Sequence, residues 1–369
     1  MKETLRPVRL LAFTGATEWG GAEIVLGHLL ANLGDRVEPS LLGVDARVLS
    51  RLAAYRPSLP WSLVPRVASK RDLGAIWAHR RAIAAAEPDV VQINLPVPFA
   101  EPYTVLAALT VPRARVVVVE HLPMATPSPG IRLLKRLTAP RLAAHVAVGR
   151  RAAREVEHLS GLRAGSIRSI PNGVPNPGHD DSLRPPGAEF VVGAVGRFHA
   201  QKAFDVLIRA VAQLPGAHLV LVGDGEERMA LERLAADLGI SDRLVVTGWS
   251  EAAASCLGSF DVVAIPSRYE GLPLVLLEAM LSGRAIVATG VGSILDALQD
   301  GETGLVVPVD NADALADALR RLRNDAGLRL RLGAAAARSA QQQFTAAAMA
   351  QAYERLYAEI LARPEWGNS

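Results

Sequence analysis

Within residues 267–280, SRYEGLPLVLLEAM, two carboxylates, Glu270 and Glu278, stand on either side of the turn Gly271, Leu272, Pro273. A buried strand is expected to end at Pro266. An apolar helix then begins, with Pro273 near its start, where a missing amide has no partner to lose. The unpaired amides of such a first turn, with the helix dipole, suit an anion of the pyrophosphate type. Carboxylates accept hydrogen bonds from vicinal hydroxyls, of a sugar or of a ribose. The plain alternative is that Glu278 decorates a helix and Glu270 caps it, since surface glutamates are common.

A second cluster lies in residues 195–210, VGRFHAQKAFDVLIRA. A strand ends at Gly196, Arg197 follows, and Lys202 comes five residues later near a helix start. A planar guanidinium fork beside a mobile ammonium suits a diphosphate and can replace a divalent metal as its counter-ion. Two solvated surface cations beside a loop are the alternative. Earlier in the chain, Gly20 and Gly21 in GATEWGG directly precede a helix pattern and let backbone come close to a ligand. Turn chemistry alone explains such a pair more often than not, and the G-x-G-x-x-G dinucleotide spacing is not met. His121 closes the run RVVVVEH at a strand end, ahead of a helix-free stretch that reads as a binding loop; a structural histidine is the alternative.

No Asp-x-Asp and no histidine pair at ligand spacing occurs, so no metal is assigned. Cys256 is the single cysteine, which excludes an intramolecular disulfide and a thiolate cluster. The apolar run 10–13 is too short for a signal-peptide core, and no run approaches a membrane span, so the chain is read as cytoplasmic.

These groups need a scaffold. Continuous apolar runs, rich in β-branched residues, cover 8–14, 40–44, 90–94, 115–120 and 144–149, then 190–196, 218–225, 243–248, 261–267, 285–289 and 304–309. Helix-length spacers separate most of them, the pattern of parallel strands buried on both faces. Two doubly wound, Rossmann-like α/β domains follow, facing across a cleft with the ligand at the carboxyl ends of the strands. The Pro- and Gly-rich segment 171–187 reads as the linker. Domain boundaries are expected at 1–175 and 176–345, with a terminal helix and tail over 346–369 packing back toward the first domain. The length of 369 residues allows each domain its own core.

Charge is divided between the halves. Residues 1–175 carry 23 Lys and Arg against 13 Asp and Glu, whereas 176–369 carry 17 against 24. The basic half favours an anionic partner such as a membrane surface or a pyrophosphate-linked acceptor. Segment 130–159, with Arg132, Lys135, Arg136, Arg141, Arg150, Arg151 and Arg154 among Leu133, Leu134 and Leu137, and segment 69–86 are candidates to lie on an anionic bilayer. A core-facing helix with a solvated basic face is the alternative. No nucleic-acid motif accompanies the charge, and nucleic acid is not assigned as a partner.

Taken together, IPNGV, VGRFHAQK, LVGDGEER, VTGW, SRYEGLPLVLLEAM and DGETGLVVP, in that order, resemble the retaining glycosyltransferase family 4 of GT-B fold. GGAE at Gly20–Glu23 and the strand-end His121 match more loosely. The resemblance implies a metal-independent sugar transfer from a nucleoside diphosphate sugar, a co-substrate with no further cofactor, to a saccharide or lipid-linked saccharide acceptor of an envelope polysaccharide. It implies that Arg197 and Lys202 neutralise the donor diphosphate and that Glu270 contacts hydroxyls of the donor sugar. Gly271, Leu272 and Pro273 would form the turn around sugar and phosphate, and Glu278 would bind the ribose. Gly196 and Gly223 would lie along the nucleotide, with residues 246–249 near its base. Gly20 and Gly21 would approach the phosphates, and His121 the transferred sugar. A UDP-sugar is the preferred donor, GDP-mannose the next. On this reading Lys202→Ala should cost turnover and little stability. Two departures stand out: the glycine that usually follows the lysine is Ala203, and the usual GG-x-P-E reads GSILD over 292–296. A small soluble acceptor is the runner-up. An epimerase or phosphorylase of like architecture and a non-catalytic sugar-binding protein are the alternatives of other classes.

Overall fold

The structure, a computed structural model, describes residues 6–126, 128–250 and 253–363. They form two compact units, the first comprising residues 6–173 with 346–363 and the second 174–345, each of the described residues alone.

In the first unit the order is β1 (Val8–Thr14), α1 (Gly21–Asn32), β2 (Val37–Gly43), α2 (Ala46–Ala53), β3 (Trp61–Leu63), α3 (Leu73–Ala86), β4 (Val90–Leu95), α4 (Pro102–Leu109), β5 (Arg115–Glu120), α5 (Pro129–Thr138), β6 (Ala144–Ala147), α6 (Arg150–Ser160) and β7 (Arg168–Ser169). The sheet runs β3-β2-β1-β4-β5-β6-β7, with all pairs parallel. Leu11, Phe13, Ile93 and Val118 of its central strands share one core with Ile83 of α3 and Val105 of α4. This burial of strands on both faces explains the unbroken apolar runs of the sequence.

The second unit contains β8 (Phe190–Val195), α7 (Phe204–Ala212), β9 (Ala217–Val222), α8 (Arg228–Asp237), β10 (Leu244–Val246), β11 (Val262–Ile265), α9 (Leu274–Leu281), β12 (Ala285–Thr289), α10 (Ile294–Ala297), β13 (Leu305–Val307), α11 (Ala312–Asn324) and α12 (Ala326–Gln343). Its parallel sheet runs β10-β9-β8-β11-β12-β13. The last helix, α13 (Ala346–Ala362), belongs to the first unit. It packs on α1, and Tyr357 Oη donates to the buried Gln92 Oε1 at 2.6 Å.

The predicted strands are present, several with shifted or trimmed ends (β2 begins at Val37, ahead of the expected 40), and β3 and β7 are additions. At three and two residues, respectively, they are too short to carry a period, and β3 is exposed at the sheet edge. Segment 174–187 belongs to the second unit: Asp180 N donates to Ser255 O at 3.0 Å, and Arg184 pairs with Asp261 at 3.1 Å.

Each sheet reverses its winding once, between β1 and β4 and between β8 and β11. At such a switch point the loops beyond the strands diverge and leave a crevice. The loops that follow β8 and β11 carry the charged clusters of the sequence.

Candidate functional site

In the second unit β8 lies beside β11, with Val192 opposite Val262. This pairing brings the turn after Gly196 to the loop before α9, although some seventy residues separate them in sequence. Lys202 ends a single turn of 3-10 helix at Ala200–Lys202. Its Nζ donates to Glu270 Oε1 at 2.6 Å, and Ser267 Oγ donates to the same oxygen at 2.9 Å. Glu270 is buried, and the Lys202 side chain is only 19% exposed. Lys202 is therefore a fixed cation rather than a mobile one.

Arg268 locks the two loops together. Its guanidinium donates to Asp205 Oδ2 at 3.0 Å, to Asp310 Oδ1 at 2.7 Å and to the Ala200 carbonyl at 2.6 Å. Its own amide donates to Gln201 O at 2.8 Å. Arg197 is exposed on the same turn, just past β8.

Pro273 is the N-cap of α9, and no side chain caps that helix. Its first-turn amides thus have no side-chain acceptor and remain suited to an anion. Gly271 and Leu272 are buried beneath this turn. Glu278, one turn into α9, is half-buried. Burial pushes its carboxyl up to about 7.

Backbone contacts account for two of the glycines. Gly223 has φ +145°, and a Cβ there would stand 2.0 Å from the carbonyl oxygen of Gly196. Its amide donates to Gly248 O at 2.9 Å, so the end of β9 abuts both the lysine turn and residues 246–249. Gly292 has φ +51°, and its Cβ would meet Glu270 O at 1.9 Å. Ser293 N donates to Gly271 O at 2.7 Å. The departing sequence GSILD thus still lays its glycine and serine amide against the Glu270 turn. Ala203, where a glycine is usual, holds a left-handed φ of +52°.

The sequence reading gave no role to Ser267 or Arg268, and it marked Gly292 and Ser293 only as part of the departing segment 292–296. Ser267 bonds Glu270 within SRYEGLP itself, whereas the partners of Arg268 come from segments that follow other strands. Only the strand order reveals them.

In the first unit Gly20 caps α1 with an extended φ of −145°, and neither Gly20 nor Gly21 has a positive φ. A Cβ on Gly21 would meet no atom within 4 Å. Turn chemistry therefore does not require Gly21; open space lies beside it. Glu23 in the first turn of α1 is buried, and Thr14 Oγ1 donates to it at 3.1 Å. Burial raises its carboxyl above the ordinary value.

His121 follows β5 and is half-buried. Its Nε2 has no hydrogen-bond partner among the described residues. Burial pulls its pKa down to about 4, against the opposing pull of Glu120, so the imidazole is neutral at pH 7. Glu120 faces another way: it pairs with Lys135 and with His145 Nε2, the latter at 2.7 Å. Burial works to raise its pKa, but the two partners outweigh burial and hold the carboxyl below the ordinary value.

One expectation for the basic segment changes. Residues 130–159 form α5, β6 and α6 with their turns, β6 lying within the strand expected at 144–149. Lys135 is not on a solvated face, because its ammonium is needed to neutralise the buried Glu120 and is 10% exposed. No described helix is long and apolar enough to cross a membrane.

Two family profiles match the chain, "Glycosyltransferase Family 4" over residues 19–176 and "Glycosyl transferases group 1" over 189–325. The lipopolysaccharide core biosynthesis glycosyltransferase LpsE of Rhizobium meliloti is 39% identical over 168 residues, 46% of this chain and 49% of that protein. D-inositol 3-phosphate glycosyltransferase of Mycobacteroides abscessus is 40% identical over 141 residues, 36% of this chain and 32% of that protein. The chain thus spans about half the length of LpsE or less of the other. In fold, it is similar to the crystal structure of Anabaena HepE in complex with UDP, with a TM-score of 0.81 and 21% identity over 95% of this chain and 100% of HepE. Two doubly wound domains of this kind are the GT-B fold.

Proposed function

Because the chain belongs to glycosyltransferase family 4, we propose that it transfers a sugar from a nucleoside diphosphate to an acceptor hydroxyl with retention at the anomeric carbon. The observation that carries this is the Lys202–Glu270 pair, 2.6 Å apart beside the uncapped first turn of α9. A fixed ammonium, the Arg197 guanidinium and helix amides together suit the charge that builds on a leaving diphosphate, and they suit it without a divalent ion. We assign no cofactor.

Glu270 then has two tasks. One oxygen positions Lys202; the other, Oε2, with Gln201 Nε2 3.4 Å away, accepts from sugar hydroxyls. Glu278 accepts from the ribose when ionised. His121, as neutral imidazole, hydrogen-bonds a hydroxyl of the transferred sugar, and Gly20 and Gly21 admit the phosphates. No protein nucleophile is invoked. The leaving phosphate takes the acceptor proton on the face it departs from, and the protein holds the reactants in that geometry.

UDP is the preferred base and diphosphate, supported by the UDP held in HepE, with GDP-mannose next. The acceptor we favour is a lipid-linked saccharide at the inner face of a membrane, in line with the lipopolysaccharide role named for LpsE. A small soluble acceptor is the second reading, favoured by the inositol phosphate named for the mycobacterial relative.

The test is a thermal-shift panel of UDP-, GDP- and ADP-sugars with and without Mg²⁺. At a hundredfold excess over Kd a bound donor adds ~2.7 kcal/mol of apparent stability. A shift with UDP-sugars that is independent of Mg²⁺ is expected. No shift with any donor would sink the proposal, and a shift only with Mg²⁺ would remove its metal-free form.

A further inference from the structure

Helices α3, α4 and α5 lie side by side on one face of the first sheet. Ile83 of α3 and Val105 of α4 enter the same core, and Val105 and Ile131 of α5 line the same cavity. These three helices contain no Asp or Glu. The nearby carboxylates are engaged: Asp72 caps α3, Glu87 pairs with Arg9, Glu101 accepts from Thr104, and Glu120, buried at the end of β5, pairs with Lys135 of α5.

The outward residues of this layer are unusual for a water-facing surface. On α3, Leu73, Trp77 and Arg81 recur every fourth position and form one stripe. The buried Ala75, His79 and Ile83 lie two residues on, roughly 200° around the helix. Leu73 is 71% exposed and Trp77 55%, with the Arg81 guanidinium 4.5 Å above its ring. On α5, Leu133 and Leu137 are 58% and 63% exposed, next to the exposed Arg132 and Arg136. Lys70 and Arg71, also exposed, precede α3. A polyanion in water would be met by the cations alone; it gives no reason for leucines and an indole between them. A surface with anionic headgroups over hydrocarbon is complementary to both.

We infer that the outer face of the α3–α4–α5 layer docks on an anionic lipid bilayer, with Trp77, Leu73, Leu133 and Leu137 entering the headgroup boundary and Arg71, Arg81, Arg132 and Arg136 meeting lipid phosphates. The inference rests on the reading of a lipid-linked acceptor and names the surface that would bring the enzyme to it.

The experiment is flotation of the full chain with phosphatidylcholine vesicles, with and without phosphatidylglycerol, for wild type and for Trp77→Ser combined with Leu133→Ser. Wild type should bind the anionic vesicles alone, and less as salt rises. The double variant should bind them ~10-fold or more weakly, with unchanged Tm because both side chains face water. Trp61→Ser, on the exposed edge strand β3, should bind as wild type does. Failure of wild type to bind, equal binding to both lipids, or full binding by the double variant would each overturn the inference. So would binding to heparin that the double variant loses equally. Thermal shift with the same panel of UDP-, GDP- and ADP-sugars is measured on the same samples. A donor shift without vesicle binding removes the docking face alone, and vesicle binding without any donor shift removes the glycosyltransferase reading alone.

Discussion

Lys202 Nζ and Glu270 Oε1 stand 2.6 Å apart, and the carboxylate they share with Ser267 is buried. The cation proposed to meet the diphosphate and the carboxylate proposed to meet the sugar are therefore one unit, and they cannot be altered independently.

Lys202→Ala is expected to lower kcat ~100-fold or more by removing charge from the leaving group. It should also cost roughly 1–3 kcal/mol of stability, because it strands a buried carboxylate. This differs from the sequence expectation of little loss. Lys202→Met with Glu270→Gln should regain much of the stability and none of the activity. Denaturant unfolding alongside a transfer assay checks both, and wild-type turnover in Lys202→Ala would refute the assigned role.

Burial raises Glu278 from 4.5 to about 7, so the folded state holds this proton more tightly than the unfolded chain. The resulting stabilisation is complete below pH 4.5 and is lost as pH rises through about 7. Glu278→Gln should flatten this part of the Tm–pH curve. Donor binding should run the other way, tightening as pH rises through 7 if the ionised carboxylate holds the ribose. Titration calorimetry from pH 6 to 8 reads this, and a pH-independent wild-type Kd would remove Glu278 from the donor site.

Gly21 and Gly292 should respond oppositely to alanine. Gly292→Ala puts a methyl against the Glu270 carbonyl at a left-handed φ. It should cost roughly 2 kcal/mol or more and weaken donor binding. Gly21→Ala meets no protein atom. It should leave Tm unchanged or slightly raised while lowering kcat/KM, because the proposed function gives that space to the donor phosphates. Full activity in Gly21→Ala would mean that no ligand comes near.

His121 has its pKa pulled down to about 4 by burial, so no activity loss near pH 6.5 should trace to its protonation. His121→Ala should reduce kcat without moving the pH profile between 5 and 8. A shifted profile would show an ionising role instead.

The sequence by itself determined the two-sheet architecture. Strands buried on both faces must be apolar without interruption, and parallel pairs need helix-length crossovers. It also marked the turn Glu270–Pro273 and the strand-end cations Arg197 and Lys202 as candidates, because glycine, proline and charge at a strand end are local signals. It did not reveal β3 and β7, too short for a period, or that Lys135 is consumed by the buried Glu120. Tertiary structure alone decided that Lys202 reaches Glu270, that Arg268 ties their loops together, and that Gly292 lies under Glu270. Those contacts depend on β11 lying between β8 and β12, and strand order is set by the packing of whole helices against a sheet rather than by residues near in sequence.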